Sequence, residues 1–389
     1  AGARNYVLLL PVNRSLNFIA SNVERMTRNT RHFEIPAETG RTEVDREVIA
    51  RTLIGLMNNA NVGGIVLLAV KSGAGSAYKN MCAERFEEEA RKTGKPFRIV
   101  YLTNVGGSYN MLGETLRLTR EVLLEVSDFR RENCPLSALT LGVKCGTSDA
   151  TSGIAGNPCV GAAFDQLIRA GGTAFFSETT EIIGAEDLVA KRAVNESVAK
   201  KILSAAKHWE DKAKATGEDI RKINPIPANI AAGISSLEEK SLGAIAKSGT
   251  SPIQDVLKYA EMPKGSGLYF VDSWMSSLSL PLCLTACGAT IMLYQMGGGK
   301  IAQHPMMPSI NPTVVSPFLY LTGNAIAYSR APDNFDFDAS PIMTEGASIP
   351  EMGTKLLEHL SAIASGTMTK METLNYAEQL ELYMEGPVL

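Results

Sequence analysis

Short aliphatic runs alternate with amphipathic helical stretches along the first third of the chain, and this alternation restricts the fold more than any other feature. Residues 6–10 read as a strand and 15–27 as a helix; 46–58 read as a second helix with Val48, Ile49, Leu53 and Leu56 on one side. Residues 64–70 are a continuous aliphatic run bounded by glycines, the pattern of a strand covered on both faces. A charged helix (78–93), a third strand (97–102) and a long amphipathic helix (110–127) follow. Such alternation implies a parallel sheet joined by right-handed crossovers. The polar stretch 130–135, ending in Pro135, is the expected linker. Beyond it the pattern restarts: strand 138–143, a small-residue loop 144–149, helix 158–170 and strand 172–177. A charged, solvent-exposed helical excursion is expected over 191–217, a loop over 223–233 and a helix over 237–246. Strands at 267–272 and 290–294 and closing helices at 352–365 and 372–384 complete the reading. The fold class is α/β, with two parallel-sheet, Rossmann-like domains over residues 1–132 and 133–389.

Composition excludes several functions. With 45% hydrophobic residues in 389, the chain can bury a sizeable core. Thirty-eight basic against 41 acidic residues give a formal charge of −3, without the excess that attracts nucleic acid or an anionic membrane. The apolar run 6–12 is too short to span a bilayer, and 278–294, broken by Ser, Thr, Pro281 and Gly288, reads as a buried helix-to-strand passage. Six dilute cysteines without a Cys-x-x-Cys pair fit reduced thiols and a cytoplasmic location. Gly297-Gly298-Gly299-Lys300 lacks the spacing of a phosphate loop.

Ligands of open α/β sheets bind at the carboxyl ends of the strands, so residues just after predicted strands are the candidates for chemistry. Lys144, Cys145, Ser148 and Asp149 follow the first strand of the second unit, Glu178, Thr179 and Glu181 the next, and Asp272 and Ser273 a later one. Together they would suit β-elimination from a 2-hydroxy acid, which needs a base for the proton beside the carboxylate, a cation for the resulting dianion and an acid for the leaving group. Lys144 can be the cation or base, and Glu178 or Glu181 acid or base. Cys145, Asp149 or His304 can be metal ligands or proton carriers. Each also has a plainer reading: Lys144 as a solvated charge, Cys145 as a small buried residue, and Glu178 and Glu181 as first-turn carboxylates of a helix near 185–193.

The stretch Leu141-Gly142-Val143-Lys144-Cys145-Gly146-Thr147-Ser148-Asp149, with Ser152-Gly153-Ile154 and Asn157-Pro158 beyond, resembles the altronate/galactarate dehydratase family. So do Ser177-Glu178-Thr179, Glu181, Gly184-Ala185-Glu186, Asn224-Pro225, Asn229, Glu239-Lys240-Ser241-Leu242-Gly243-Ala244 and Lys247-Ser248-Gly249. The resemblance implies dehydration of sugar acids assisted by iron(II) or a similar divalent ion, or, as in the large subunit of sulfolactate sulfo-lyase, elimination of sulfite. It also implies a separate small subunit with the family's SAF domain, because the likeness begins directly at the second domain. The catalytic set expected is Lys144, Asp149, Glu178 and Glu181; the substrate-binding set is Ser148, Ser152, Asn157, Thr179, Asn229, Lys240 and Asp272; and Cys145 and His304 are the expected metal ligands. The family's first-domain cysteine and histidine motifs are replaced here by Pro36-Ala37-Glu38-Thr39-Gly40-Arg41 and Ser72-Gly73-Ala74, which makes Glu38 a further possible ligand. The reading is a cytoplasmic, homo-oligomeric lyase acting on a small 2-hydroxy acid. Its rivals are a non-catalytic scaffolding or regulatory subunit and a sugar-acid-binding protein of the same fold.

Overall fold

The computed structural model describes residues 1–71, 78–298, 311–374 and 381–387. Among these residues the chain forms two sheets, both parallel throughout. The first holds β1 (Tyr6–Pro11), β2 (Thr30–His32), β3 (Val62–Ala69) and β4 (Phe97–Tyr101) in the order β2-β1-β3-β4. The second holds β5 (Thr140–Gly146), β6 (Thr173–Phe176), β7 (Ile253–Leu257), β8 (Gly267–Val271), β9 (Ile291–Met296), β10 (Phe318–Thr322) and β11 (Phe337–Asp338), ordered β11-β10-β9-β5-β6-β8-β7. Residues 129–139 carry the chain between them without a regular helix or strand longer than one turn.

Helices cover both faces of these sheets, so the central strands are buried on both sides and their sequences are continuously apolar. The helix Ser279–Ala286 lies between the sheets, every residue buried, and crosses the helix Glu43–Asn58. The crossing is close: a Cβ on Gly55 would lie 2.2 Å from Ala286 O, so only glycine fits. Asn59 Nδ2 donates to Thr285 O and Ala289 O at 2.9 Å, and Asn61 Nδ2 to Thr290 O at the same distance, satisfying buried carbonyls across the junction. No helix of the described residues is long and apolar enough to cross a membrane.

Several predicted elements need correction. The charged segment 191–217 is not a solvated excursion: its helix Glu196–Ala215 buries Val198, Ile202, Ala205 and Ala206 along one stripe and packs on β7. The loop 223–233 contains the helical turn Pro227–Ala231. The closing helix expected at 372–384 is only the turn Lys370–Thr373; residues 375–380 lie outside the described residues, and 381–385 are non-helical, with Leu382, Tyr383 and Met384 packed on the core. Strands β2 and β11 are too short to show a period, β7 is a polar edge strand, and β10 has the continuous apolar run that identified β3.

The chain leaves β5 toward β6 on one side and leaves β9 toward β10 on the other. The carboxyl ends of β5 and β9 therefore flank the crevice where strand order reverses, and residues 144–152 sit at its mouth.

Candidate active site

Lys144 and Cys145 end β5, one strand position away from the end of β6, where Glu178 turns the chain in the left-handed region (φ 74°). That backbone costs a non-glycine residue about 1–3 kcal/mol, and it places the Glu178 carboxylate beneath the β5 terminus. Glu178 Oε1 accepts from Lys144 Nζ at 2.8 Å, and Oε2 accepts from Cys145 N at 3.0 Å and from Lys247 Nζ. Lys247 also donates to Glu181 Oε2 at 2.8 Å. These four charged groups are almost completely removed from water: relative exposure is 3% for Lys144, 0% for Glu178, 3% for Glu181 and 2% for Lys247. Two cations and two anions balance one another. Burial works against the Glu178 charge, but the charges of Lys144 and Lys247 outweigh it and hold the carboxyl down to about 2. By the same exchange, burial opposes the ammonium charges and the neighbouring carboxylates hold both lysines above the ordinary range. Lys144 and Lys247 are therefore fixed cations, and the solvated reading of Lys144 is excluded. The Glu181 carboxylate accepts a single side-chain hydrogen bond among the described residues, on Oε2, whereas both oxygens of Glu178 accept.

Asp149 caps the helix that runs from Ala150 through the π-turn Ser152–Gly156 into Asn157–Arg169. Its Oδ1 accepts from Ser152 N at 3.1 Å and from Thr151 Oγ1 at 2.6 Å, the N-cap pattern. Its Oδ2 accepts from Gly298 N at 2.6 Å and Asn324 Nδ2 at 2.9 Å, across the β5/β9 crevice. In a doubly wound sheet a bound anion would use such a helix N-terminus and glycine amide. Here the Asp149 carboxylate fills that position.

Beside this helix start lies a cavity of about 280 Å³, lined on one side by Ser148, Asp149, Ser152 and Asn157 and on the other by Lys240 and its neighbours in the helix Leu237–Ile245. Lys240 is 8% exposed. Its ammonium donates to Asn224 Oδ1 at 2.7 Å and Asn229 Oδ1 at 3.1 Å, and no carboxylate lies within ion-pair distance among the described residues. Asn229 also donates to Ser148 O at 3.0 Å and so fixes Lys240 to the β5 loop. Asn157 Nδ2 donates to Gly243 O at 2.8 Å, while its Oδ1 is buried without a partner.

Cys145 joins the two sets. Its Sγ lies 3.4 Å from Ser148 Oγ and 3.6 Å from Asn157 Nδ2, both on the cavity wall, while its backbone N–H holds Glu178. Its thiol donates to Gln295 Oε1 at 3.2 Å. Burial pushes the thiol up to about 11. A metal ligand at this position would need a thiolate and further anionic or imidazole donors, but the side-chain atoms within hydrogen-bond reach of Sγ belong to two amides and a hydroxyl. Among the described residues no three His, Cys, Asp or Glu side chains converge on one point. The donor set at Cys145 does not fit a divalent metal. Glu38 is in the first unit, accepting from Asn13 Nδ2 at 3.1 Å and Arg14 N at 3.2 Å. His304 lies outside the described residues.

The sequence-based set is thus divided. Lys144, Glu178, Glu181 and Cys145 meet below the strand ends, and Ser148, Asp149, Ser152, Asn157 and Lys240 meet on the cavity. Thr179 and Asp272 bond to each other at 2.7 Å, and Asp272 also accepts from Trp209 Nε1 at 2.9 Å; they tie β6 to β8 and do not line the cavity. Sequence reasoning missed Lys247, Gln295 and Asn324. Lys247 stood inside the quoted Lys-Ser-Gly block, and its neighbours gave no sign that it would point inward.

Residues 136–387 match the model of the D-galactarate/altronate dehydratase C-terminal domain, and residues 1–127 that of the second domain of D-galactarate dehydratase/altronate hydrolase. The chain is 31% identical over 383 residues to the (2R)-sulfolactate sulfo-lyase subunit beta of Chromohalobacter salexigens, covering 97% of this chain and 93% of that protein. It is 34% identical over 283 residues to the galactarate dehydratase (L-threo-forming) of Escherichia coli, which covers 72% of this chain and 52% of the relative. It is 29% identical over 399 residues to the altronate dehydratase of Bacillus subtilis, covering all of this chain and 76% of that protein. With both of its sheets inside matched domains, the chain belongs to the D-galactarate/altronate dehydratase family.

Proposed function

We propose that the chain is a lyase that removes a leaving group from C3 of a small 2-hydroxy acid, with the acid held in the cavity beside Lys240. The observation that carries this reading is Lys240 itself: a buried ammonium held by two amide oxygens, with no carboxylate partner among the described residues. An unpaired buried charge is costly, and the carboxylate of a small acid would neutralise it. The relatives, named as lyases of sugar acids or of sulfolactate, act on molecules of this kind.

The step balances without an external oxidant. A base takes the C2 proton, the C–H electron pair forms the C2–C3 double bond, and the C3 substituent leaves with its bonding pair. Where the substituent is hydroxyl it departs as water after gaining a proton, and the enol then becomes the 2-oxo acid. Negative charge developing at C1 and C2 needs preorganised cations. Lys240 is the cation that lines the cavity. Lys144, Lys247 and Glu181 stand behind its wall, on the far side of Cys145. Glu181, whose carboxylate accepts one hydrogen bond among the described residues, is the carboxylate to which we assign proton exchange, relayed through the Cys145 and Ser148 side chains.

One relative is named as subunit beta, and by that likeness we propose that the chain works with a second, smaller subunit. All six cysteines are unpaired, which supports a reducing, cytoplasmic setting. The test is to purify the protein from its own cells with any subunit that accompanies it. Altronate, galactarate and sulfolactate are then supplied, and 2-oxo acid and sulfite are measured. Formation of a 2-oxo acid from one of them is expected; tight binding without turnover would instead support an acid-binding protein.

A further inference from the structure

Cys145 and Gln295 are register partners on the neighbouring parallel strands β5 and β9, and both side chains are buried near the ends of those strands. Gln295 Oε1 accepts the Cys145 S–H at 3.2 Å. An amide oxygen can only accept, so this contact directs the thiol hydrogen toward β9. Asn157 Nδ2 approaches the same sulfur at 3.6 Å as a pure donor, its orientation fixed by Gly243 O at 2.8 Å. With its one hydrogen on Gln295, the sulfur can only accept from its remaining neighbour, Ser148 Oγ at 3.4 Å. The Ser148 hydroxyl hydrogen then points at sulfur, and Ser148, which lines the cavity, presents lone pairs there.

The nitrogen of the same amide has no use. Gln295 Nε2 is buried without a partner among the described residues, packed against the π-turn, where a Cβ on Gly156 would lie 2.2 Å from it. A buried donor left unused costs stability, so an apolar side chain of similar length would be the more stable occupant of this position. What the amide supplies is Oε1, and its partner is the thiol behind the cavity wall.

We propose that Gln295 is a positioning residue: by taking the Cys145 thiol hydrogen it sets the polarity of the Ser148 hydroxyl, so that Ser148 meets the ligand as a hydrogen-bond acceptor. Gln295 does not line the cavity and acts through two intervening side chains. Ser148 is the cavity end of the proton route assigned above, and this polarity gives that end an acceptor. The role in turnover rests on the reading of this cavity as the substrate site; the polarity of the three side chains does not.

The test is the S–H stretching band of Cys145, assigned in ligand-free protein by the infrared difference between the unaltered chain and Cys145→Ser. Gln295→Met removes the acceptor, and the band is expected to move to higher wavenumber. Ser148→Ala removes only a donor to sulfur, and the band is expected to stay in place. The denaturant midpoint of Gln295→Met should equal or exceed that of the unaltered protein, while its kcat/KM for 2-oxo acid formation falls at least about tenfold. A band that moves in Ser148→Ala and stays in Gln295→Met would overturn the proposal, because the thiol would then donate to Ser148. A shifted band in Gln295→Met with unchanged kcat/KM would overturn it too, since the polarity would not matter to the ligand. Absence of turnover in the unaltered protein would instead sink the lyase reading, with the band positions still deciding the polarity.

Discussion

Lys144 Nζ lies 2.8 Å from Glu178 Oε1, and both side chains are buried at the adjoining ends of β5 and β6. From sequence alone, loss of Lys144 is expected to slow turnover and leave stability unchanged. Burial reverses the second half of that expectation. Removing one partner of a buried pair strands the other charge, at a cost of about 3–5 kcal/mol. Lys144→Met and Lys247→Met should each lower the denaturant midpoint correspondingly. Midpoints unchanged within error would show that water reaches the cluster.

The same pair sets an acid response. The Glu178 carboxyl is held down to about 2 against an ordinary value of 4.5. A depressed carboxylate contributes stability that is fully present above the ordinary value and is lost as pH falls through the folded one. The stability difference between the unaltered protein and Glu178→Gln should be constant above about pH 5 and shrink from about pH 4.5 toward pH 2. Thermal midpoints measured across that range check it; a difference that shrinks instead between pH 6 and 8 would mean that Glu178 is not held as an anion by the lysines.

Glu181 differs from Glu178 in accepting side-chain hydrogen bonds on one oxygen only among the described residues. Glu181→Gln preserves shape and can still accept from Lys247, but it removes one of the two buried anions, so the variant should fold with a lowered denaturant midpoint. Turnover should fall about a hundredfold or more if Glu181 exchanges the proton. Steady-state rates paired with circular dichroism separate the two effects, and a normal rate would assign Glu181 to the structural ion cluster alone.

Cys145 should be inert. Its thiol is buried and pushed up to about 11, whereas Cys134 is exposed. Brief iodoacetamide treatment of the folded protein, followed by peptide mass spectrometry, should label Cys134 and spare Cys145. Cys145→Ser should leave the bound-metal content of anaerobically purified protein unchanged, and a loss of metal in that variant would make Cys145 a ligand after all.

The sheets were legible because strands buried on both faces must be continuously apolar, as β3 and β9 are, and helices between them must show a stripe. The cluster around Glu178 was partly legible for a related reason: residues at strand ends converge, and Lys144, Glu178 and Glu181 stood there. Lys247 was not, since nothing local distinguishes a lysine that turns inward from one that faces water. That depends on the two carboxylates waiting beneath β5, a pairing between segments 66 and 69 positions apart. The N-cap role of Asp149 was hidden similarly, because the helix begins at Ala150, earlier than the predicted start at Pro158. Charged faces misled in the other direction: the helix Glu196–Ala215 buries a narrow stripe that its many lysines obscured.

The central claim is that Lys240 receives the carboxylate of a small acid. Its removal strands no anionic partner among the described residues, so Lys240→Met should fold, with its circular dichroism spectrum retained. The decisive measurement is the dependence of 2-oxo acid formation on substrate concentration for this variant beside the unaltered protein. Truncating one side of a buried, hydrogen-bonded charge pair costs about 2–5 kcal/mol, so kcat/KM should fall about a hundredfold, chiefly through a higher KM. An unchanged kcat/KM in a folded Lys240→Met protein would contradict the account.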